Sequence, residues 1–158
     1  MAFRMITEGE WRRLQDSGGQ HDRIRARVSR IIGWLAMLFN GNSPGGVVGL
    51  TFNAETEGDV ICHVATPVGS GRIRLDWTLI EGQLHGLLLV EKGTTDELEQ
   101  RRWLRVWELK VPETSNVFVA QPSDGYAVRQ SSGTQLEHDI FALGMSIYFS
   151  IVSGPVTE

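Results

Sequence analysis

The chain has 158 residues, of which 41% are hydrophobic and 22% charged, with a net charge of −4 at pH 7 and one cysteine. This composition is typical of a globular domain that buries about 70% of its unfolded surface, and it excludes a disordered or fibrous chain and an intrachain disulfide. The length predicts a single domain over residues 1–158, and the lone cysteine favours a cytoplasmic location. The apolar runs at 31–39 and 140–152 are shorter than the ~20 residues that cross a bilayer, so we expect no membrane insertion.

The N-terminal segment, residues 1–39, has helical periodicity and predicts two helices. Thr7 and Glu10 have the spacing of a capping box at the start of the first helix. The Ser-Gly-Gly stretch at 17–19 should end that helix, because glycine readily adopts the left-handed conformation of a helix C-terminus. A second helix should begin near His21 and present an apolar stripe at helical spacing. The stripe consists of Ile24, Val28, Ile31, Ile32, Leu35 and Leu38.

Three arginines, Arg23, Arg27 and Arg30, lie on one side of this second helix. Residues 1–39 carry seven arginines against four acidic residues, a net charge of +3, whereas the rest of the chain is strongly acidic. A cationic helix face can bind nucleic-acid phosphates, but the negative chain as a whole repels nucleic acid at long range. We therefore favour packing of a basic helix onto an acidic body, and nucleic acid is a disfavoured partner.

Residues 47–129 alternate between apolar and polar side chains and predict a curved antiparallel meander of six or seven strands. Stretches rich in Gly, Pro, Asn and Ser separate the alternating segments, as expected for the turns of such a sheet. The predicted strands lie at 47–53, 59–66, 71–80, 83–92, 103–111 and 116–120, with a short seventh at 126–129.

The segment 72–91 predicts its own strand register. With Glu81-Gly82 as a two-residue turn, every pair on one face is apolar or contains glycine, so a slip of one residue would expose that whole face. We call this the apolar face; its pairs are Ile73–Val90, Leu75–Leu88, Trp77–Gly86 and Leu79–Leu84. We call the other the mixed face; its pairs are Arg72–Glu91, Arg74–Leu89, Asp76–Leu87, Thr78–His85 and Ile80–Gln83.

A four-residue loop at 67–70 would extend the apolar face to the preceding strand. This loop predicts the pairs Val64–Ile73, Cys62–Leu75 and Val60–Trp77. Cys62 would then be a core side chain, and Asp59 would share a row of the mixed face with Thr78 and His85.

Asp76, Thr78 and His85 are the candidate catalytic residues. A carboxylate near an imidazole and a hydroxyl is a basic arrangement for general-base or nucleophilic catalysis, and Asp76 is diagonal to His85 in the predicted register. Since no sequence motif accompanies these residues, a solvated hydrogen-bonding row is the favoured interpretation, and an enzyme is the less favoured class. No ligand spacing predicts a metal site, and no phosphate-binding motif predicts a cofactor.

Two groups of residues are candidate binding positions. Trp103, Arg105 and Trp107 share one face of the strand 103–111 under strict alternation, and Trp and Arg are enriched at interface hot spots. A strand that is buried on both sides explains the same pattern equally well. Three apolar residues of the mixed face complete the candidate surface: Ile61, Leu87 and Leu89.

Residues 134–153 predict a C-terminal helix that packs on the sheet. Thr134 and Glu137 repeat the capping-box spacing. Two apolar stripes follow at helical spacing, one more than packing against a single surface requires. The first consists of Leu136, Ile140, Leu143, Ile147 and Ile151, and the second of Phe141, Met145, Phe149 and Val152.

Together the elements predict an α+β domain: two N-terminal helices within 1–39, an antiparallel sheet within 47–129 and a C-terminal helix at 134–153. The surplus apolar surface favours a non-catalytic protein-interaction module, chaperone- or adaptor-like, that binds a protein partner and associates with itself as a homodimer. One alternative is a small-molecule binder or enzyme with a cavity between the sheet and the C-terminal helix. The second alternative is nucleic-acid binding through the helix that carries Arg23, Arg27 and Arg30.

Overall fold

A helix, an antiparallel sheet and a second helix follow one another along the chain in the computed structural model, which describes residues 7–41, 48–55, 58–114, 117–121, 126–127 and 134–153. The first helix, α1, spans Glu8–Phe39 and the second, α2, spans Thr134–Ser153. The predicted α+β class, antiparallel sheet and C-terminal helix are therefore confirmed. The long strands are β1 (Thr51–Ala54), β2 (Val60–Thr66), β3 (Gly69–Ile80), β4 (Gln83–Thr95) and β5 (Arg101–Val111).

Five strands, β1 to β5, form the body of the sheet, and each pairs antiparallel with the next. Two short segments continue this order beyond β5: β6 (Val117–Gln121) and β7 (Tyr126–Ala127). The expected six or seven strands are thus not confirmed, because the last two are short edge segments rather than full members of the sheet body.

One continuous helix, α1, replaces the two predicted N-terminal helices. Thr7 caps it as the sequence predicts, since its Oγ1 accepts a hydrogen bond from the Glu10 backbone N–H at 3.2 Å. The helix then passes through Gly18 and Gly19, neither of which has the positive φ that ends a helix. A helical glycine costs only about 1 kcal/mol, and core packing of the helix beyond Gly19 outweighs that cost.

Both helices pack on the apolar face of the sheet, and each makes a close approach at a glycine. A Cβ on Gly86 of β4 would lie 2.8 Å from Ile24 Cγ2 of α1, and a Cβ on Gly71 of β3 would lie 2.6 Å from Ile151 Cδ1 of α2. Larger residues at these two positions would separate helix from sheet. Helix residues that are buried in this core are Ile24, Val28, Ile31, Ile32, Leu35, Phe39, Ile140, Leu143, Ile147 and Ile151.

The register of the β3–β4 hairpin is confirmed at every predicted pair, from Arg72 opposite Glu91 to Ile80 opposite Gln83. Its turn residues, Glu81 and Gly82, have φ angles of 53° and 78°. Positive φ at both positions is the geometry of the turn that matches the twist of a two-residue hairpin. The hairpin therefore presents the predicted apolar and mixed faces.

The β2–β3 connection differs from the prediction by two residues. Its turn contains only Pro67 and Val68, so that Val64 lies opposite Gly71 and Cys62 opposite Ile73. Thr66 stabilises the shorter turn, because its hydroxyl donates to the Gly69 carbonyl at 2.7 Å and accepts from the Val68 N–H at 3.3 Å. Since the shift is an even number of residues, Cys62 and Val64 still face the core, where both are buried.

Candidate functional site

The mixed face carries an ion-pair network centred on Glu91, whose side chain is only 9% exposed. One Glu91 oxygen accepts from Arg72 Nε at 2.7 Å and the other from Arg74 Nη1 at 3.4 Å. Arg74 also donates to Asp59 Oδ2, from Nη2 at 2.9 Å and from Nε at 3.1 Å. The network thus joins two cations and two anions, and its hydrogen bonds satisfy the nearly buried carboxylate.

Arg74 is also the principal influence on the ionisation of Asp59. Its hydrogen bonds, followed by its charge, lower the pKa of the Asp59 carboxyl below the ordinary value of 3.8. Asp59 is therefore occupied with Arg74, and the predicted row of Asp59 with Thr78 and His85 is wrong. The causes are the shorter β2–β3 turn and the bulge at Ile61, which together place the Asp59 carbonyl 2.9 Å from the Leu75 N–H instead of opposite Thr78.

Thr78 and His85 do lie opposite each other, as predicted, but Asp76 does not orient the imidazole. Asp76 Oδ1 accepts from the Trp77 N–H at 2.9 Å, and His85 Nδ1 lies 3.1 Å from the Gln83 carbonyl oxygen. Each polar side chain is thus bound to neighbouring backbone. Across the described ranges, no group of His, Cys, Asp and Glu has the arrangement of a metal site.

The thiol of Cys62 is buried in the core. Burial raises the pKa of Cys62 to about 12, so the reactive thiolate is scarce at neutral pH. The adjacent His63 points to the other face, where its Nε2 lies 3.5 Å from Glu55 Oε1. The pair that is adjacent in sequence is therefore separated by the sheet.

A β-bulge in β5 divides the predicted row of Trp103, Arg105 and Trp107. Val90 pairs with Trp107 but Glu91 pairs with Arg105, so Val106 is an extra residue and the alternation changes phase there. Trp107 consequently lies in the core with Val90, and the prediction that the three share a face is wrong. Strict alternation could not reveal the inserted residue.

Trp103 and Arg105 remain on the mixed face. The guanidinium carbon of Arg72 lies 4.3 Å from the centroid of the Trp103 ring, and that of Arg101 lies 5.0 Å from it. Arg101 also donates to Ser70 Oγ. The ring of Trp103 is therefore engaged in cation–π contacts within this chain, whereas Arg105 is exposed and makes a long ion pair of 3.7 Å to Glu108.

Of the three apolar residues that the sequence predicts on the mixed face, two lie there and one lies on the side of α1. A bulge between Val60 and Cys62 makes Ile61 the extra residue of β2, and its side chain packs against the core on the side of α1. Leu87 is half-buried and Leu89 is buried, opposite Asp76 and Arg74 respectively. The mixed face is thus dominated by ion pairs rather than by apolar surface.

The three candidate nucleic-acid arginines do not form an exposed row. Arg27 is buried, and its Nη1 donates to the Pro112 carbonyl at 2.7 Å. This burial, followed by the charge of Arg30, lowers the pKa of the Arg27 guanidinium. Arg23 pairs with Glu113. Arg23 and Arg27 thus fasten α1 to the end of β5, and Arg30 alone of the three is exposed without such a contact in the described chain.

The second apolar stripe of α2 contains three exposed large apolar side chains, more than any other described element. Phe141 is 43% exposed, Phe149 69% and Val152 37%, and Met145 between them is half-buried. Phe141 also stacks on Phe39 of α1, with ring centroids 5.5 Å apart and an interplanar angle of 14°. The stripe therefore begins on a fixed aromatic pair and continues outward along α2.

A cavity of about 360 Å³ lies under α1. Its lining comes from α1, β1, β2 and β3. The residues are Arg25, Val28, Ser29, Ile32, Ala54, Glu55, Ile61 and Leu75. A cavity between the sheet and α2 stays a prediction.

Fold and surfaces together define an α+β domain with both helices on one face of an antiparallel sheet. No protein-family model matches this chain, and comparisons with curated proteins and with solved structures find no similar protein. Within the described ranges, neither helix combines the length and the apolar character needed to span a membrane.

Proposed function

We propose that this chain is a non-catalytic protein-interaction module, chaperone- or adaptor-like, that forms a homodimer through the second apolar stripe of α2. The observation that carries the proposal is the exposure of Phe141, Phe149 and Val152 along one helix face. Removing apolar surface from water contributes about 25 cal/mol of favourable free energy per Å² buried. A continuous apolar row on a surface helix therefore commonly marks an interface.

The spacing of the stripe suits contact with another helix. Phe141, Met145, Phe149 and Val152 are separated by four, four and three residues, which places them on one side of α2. From the first to the last of these residues the helix rises about 16 Å. A second helix can pack along that whole length.

A second copy of the chain is the partner that suits this surface, because α2 has no charged side chain from Ile140 to Ser153. In a two-fold dimer the same patch meets itself, so any charge on it would face its own image. An uncharged stripe avoids that repulsion, although residues 40–158 carry eight basic and fifteen acidic side chains. Association through α2 is therefore compatible with the negative charge of the body.

Other candidate surfaces support the interaction function less well. Trp107 is in the core, Trp103 is occupied by Arg72 and Arg101, and Leu89 is already buried. The separate backbone partners of Asp76 and His85 favour interaction over catalysis. Sedimentation equilibrium over a range of protein concentrations tests the proposal: we expect twice the monomer mass, and a monomer at every concentration would contradict it.

A further inference from the structure

The cavity under α1 lies beside Ala54, at the β1 edge of the sheet. Phe52 of the same strand packs under α1, with its ring centroid 5.7 Å from that of Phe39. Ala54 follows two residues later and faces the same side, but it has only a methyl group where Phe52 has a ring. The cavity of about 360 Å³ therefore opens where a small side chain follows a large one.

Apolar side chains close the inner end of this cavity. Val28 and Ile32 of α1 and Leu75 of β3 line it, and each is at most 6% exposed. Ile61, the extra residue of the β2 bulge, also lines it and is half-buried. The inner end therefore suits an aliphatic chain, because contact with these residues removes the chain from water.

Arg25 is the cationic group at the open end of the cavity. Arg25 and Ser29 are both exposed, lie one helical turn apart on α1 and line the same space. Within the described ranges Arg25 makes no hydrogen bond or ion pair, whereas Arg23 and Arg27 are both bound to the end of β5. The guanidinium of Arg25 is therefore available to a ligand.

The acidic residue at the edge of the cavity, Glu55, does not neutralise this cation. Ala54 faces α1, so the side chain of the next residue, Glu55, extends from the opposite face of the sheet. Its Oε1 there lies 3.5 Å from Nε2 of His63. The cavity thus combines an apolar inner end with one uncompensated positive charge at its mouth.

We propose that this cavity binds an aliphatic monocarboxylate, of the class of a medium-chain fatty acid. The planar guanidinium of Arg25 matches the two oxygens of a carboxylate, and the Ser29 hydroxyl donates to the same group. The chain extends inwards towards Ile32, about 10 Å from Arg25 along the helix axis, a distance comparable with the length of extended octanoate. The volume is near the lower end of the roughly 300–1,000 Å³ of small-molecule sites. No described residue of α2 lines the cavity, so this site is independent of the proposed dimer interface.

Isothermal titration calorimetry with matched small molecules tests the proposal. The probes are octanoate, octan-1-ol without the charge, octylammonium with the opposite charge, and acetate without the chain. We expect octanoate to bind at least tenfold more tightly than each of the other three, because each lacks the carboxylate or the apolar contact. Equal affinity for octanoate and octylammonium, or no binding of octanoate, would overturn the proposal.

A variant of the cation tests the contact with the carboxylate. Arg25→Gln should weaken octanoate binding about tenfold, the effect of losing one charge-assisted hydrogen bond, and leave octan-1-ol binding unchanged. Arg30→Gln is the matched control, because Arg30 is an exposed arginine of the same helix on another side, and it should retain the affinity of the wild type. An equal loss in both variants would show that the net charge of α1, and no specific contact of Arg25, attracts the ligand, and would contradict the proposal.

A variant that fills the cavity tests the position of the chain. Ala54→Leu should abolish the binding of octanoate and of octan-1-ol, because the larger side chain occupies the space. Ala65→Leu is the matched control, since Ala65 is exposed on the opposite face of the sheet, and it should bind octanoate as the wild type does. Circular dichroism and urea unfolding of both variants verify that each is folded. Octanoate affinity unchanged in folded Ala54→Leu would place the ligand outside this cavity and overturn the proposal.

Discussion

Arg72 and Glu91 face each other across β3 and β4 and form a hydrogen-bonded ion pair, with Arg72 Nε 2.7 Å from Glu91 Oε1. The same carboxylate accepts from Arg74 at 3.4 Å. A nearly buried anion between two cations is stabilising only while all three are present, because removing one leaves a desolvated charge without its partner. Glu91 is therefore the structural centre of the mixed face.

Glu91→Ala should lower the free energy of unfolding by about 2 kcal/mol. This value lies between the cost of breaking an exposed ion pair and the cost of breaking a fully buried one. The reason is that Arg72 and Arg74 would remain close together without the shared carboxylate. Urea unfolding measured by circular dichroism gives the change. Glu108→Ala is the control, since Glu108 has only a long contact of 3.7 Å to exposed Arg105, and it should cost less than about 1 kcal/mol. An equal loss in both variants would contradict the central role of Glu91.

The ion pair of Asp59 predicts a pH dependence of stability. Arg74 lowers the Asp59 pKa in the folded state below its ordinary value of 3.8, so the folded chain binds fewer protons than the unfolded one between these two pKa values. The contribution is fully present above pH 3.8 and is lost as the pH falls through the folded-state pKa. Asp59→Asn should therefore flatten the decline of the urea midpoint on acidification.

The decline should not vanish in Asp59→Asn, because backbone hydrogen bonds from Gln100 and Leu98 and an ion pair with Arg102 also lower the pKa of Asp96. Added salt should reduce the Asp59 contribution, since this carboxylate is exposed. Arg74→Gln removes the other member of the ion pair and should flatten the decline of the urea midpoint on acidification in the same way. A pH profile identical to wild type in both variants would disprove the coupling.

Cys62 should react with a thiol reagent only when the protein unfolds. Its side chain is buried and its pKa is raised to about 12, so both access and thiolate are lacking in the folded state. Labelling with Ellman's reagent should be slow in buffer and complete in urea. The control is Val68→Cys in a Cys62→Ala background, because Val68 is at an exposed turn and its thiol should react at once. Rapid labelling of the folded wild type would contradict the buried position.

Replacing glycine by alanine should have opposite effects on stability at Gly86 and at Gly33. Gly86→Ala should destabilise by about 1–3 kcal/mol, because the new Cβ would lie 2.8 Å from Ile24 Cγ2 and 3.3 Å from Leu75 Cδ1. Gly33→Ala should stabilise by about 1 kcal/mol, since it is in α1 and a Cβ there meets nothing within 4 Å. Thermal and urea unfolding give both changes, and effects of the same sign would contradict the packing described for Gly86.

The sequence predicts a strand register correctly where the two-residue alternation of side chains is uninterrupted. The β3–β4 hairpin is predicted to the residue, because its turn and its alternation agree over the whole of 72–91. Alternation carries no information about an extra residue, so it does not predict the bulges at Ile61 and Val106. The faces predicted for Ile61 and Trp107 are wrong for this reason. The only signal of the bulges was apolar residues on both sides of each strand.

Two further errors have different causes: core packing of α1 outweighs one local preference, and a local side-chain hydrogen bond shortens one turn. Gly18 and Gly19 predict a helix end, yet α1 continues through both. The β2–β3 turn is two residues shorter than its Gly-Ser sequence suggests, because Thr66 hydrogen-bonds across it. The cavity could not be predicted because it depends on the spacing between α1 and the sheet, where Gly86 meets Ile24 and Ile61 lines the space.

The proposed α2 interface predicts that Phe149→Glu weakens self-association at least tenfold. Phe149 is the most exposed residue of the stripe, and in a two-fold dimer the new carboxylates of both copies would lie close together in an apolar contact. Sedimentation equilibrium should show a monomer at concentrations where the wild type is dimeric. Leu98→Glu is the matched control, because Leu98 is 77% exposed on the loop before β5, and its mass should equal that of the wild type. Loss of the dimer in both variants, or in neither, would place the interface elsewhere than on α2.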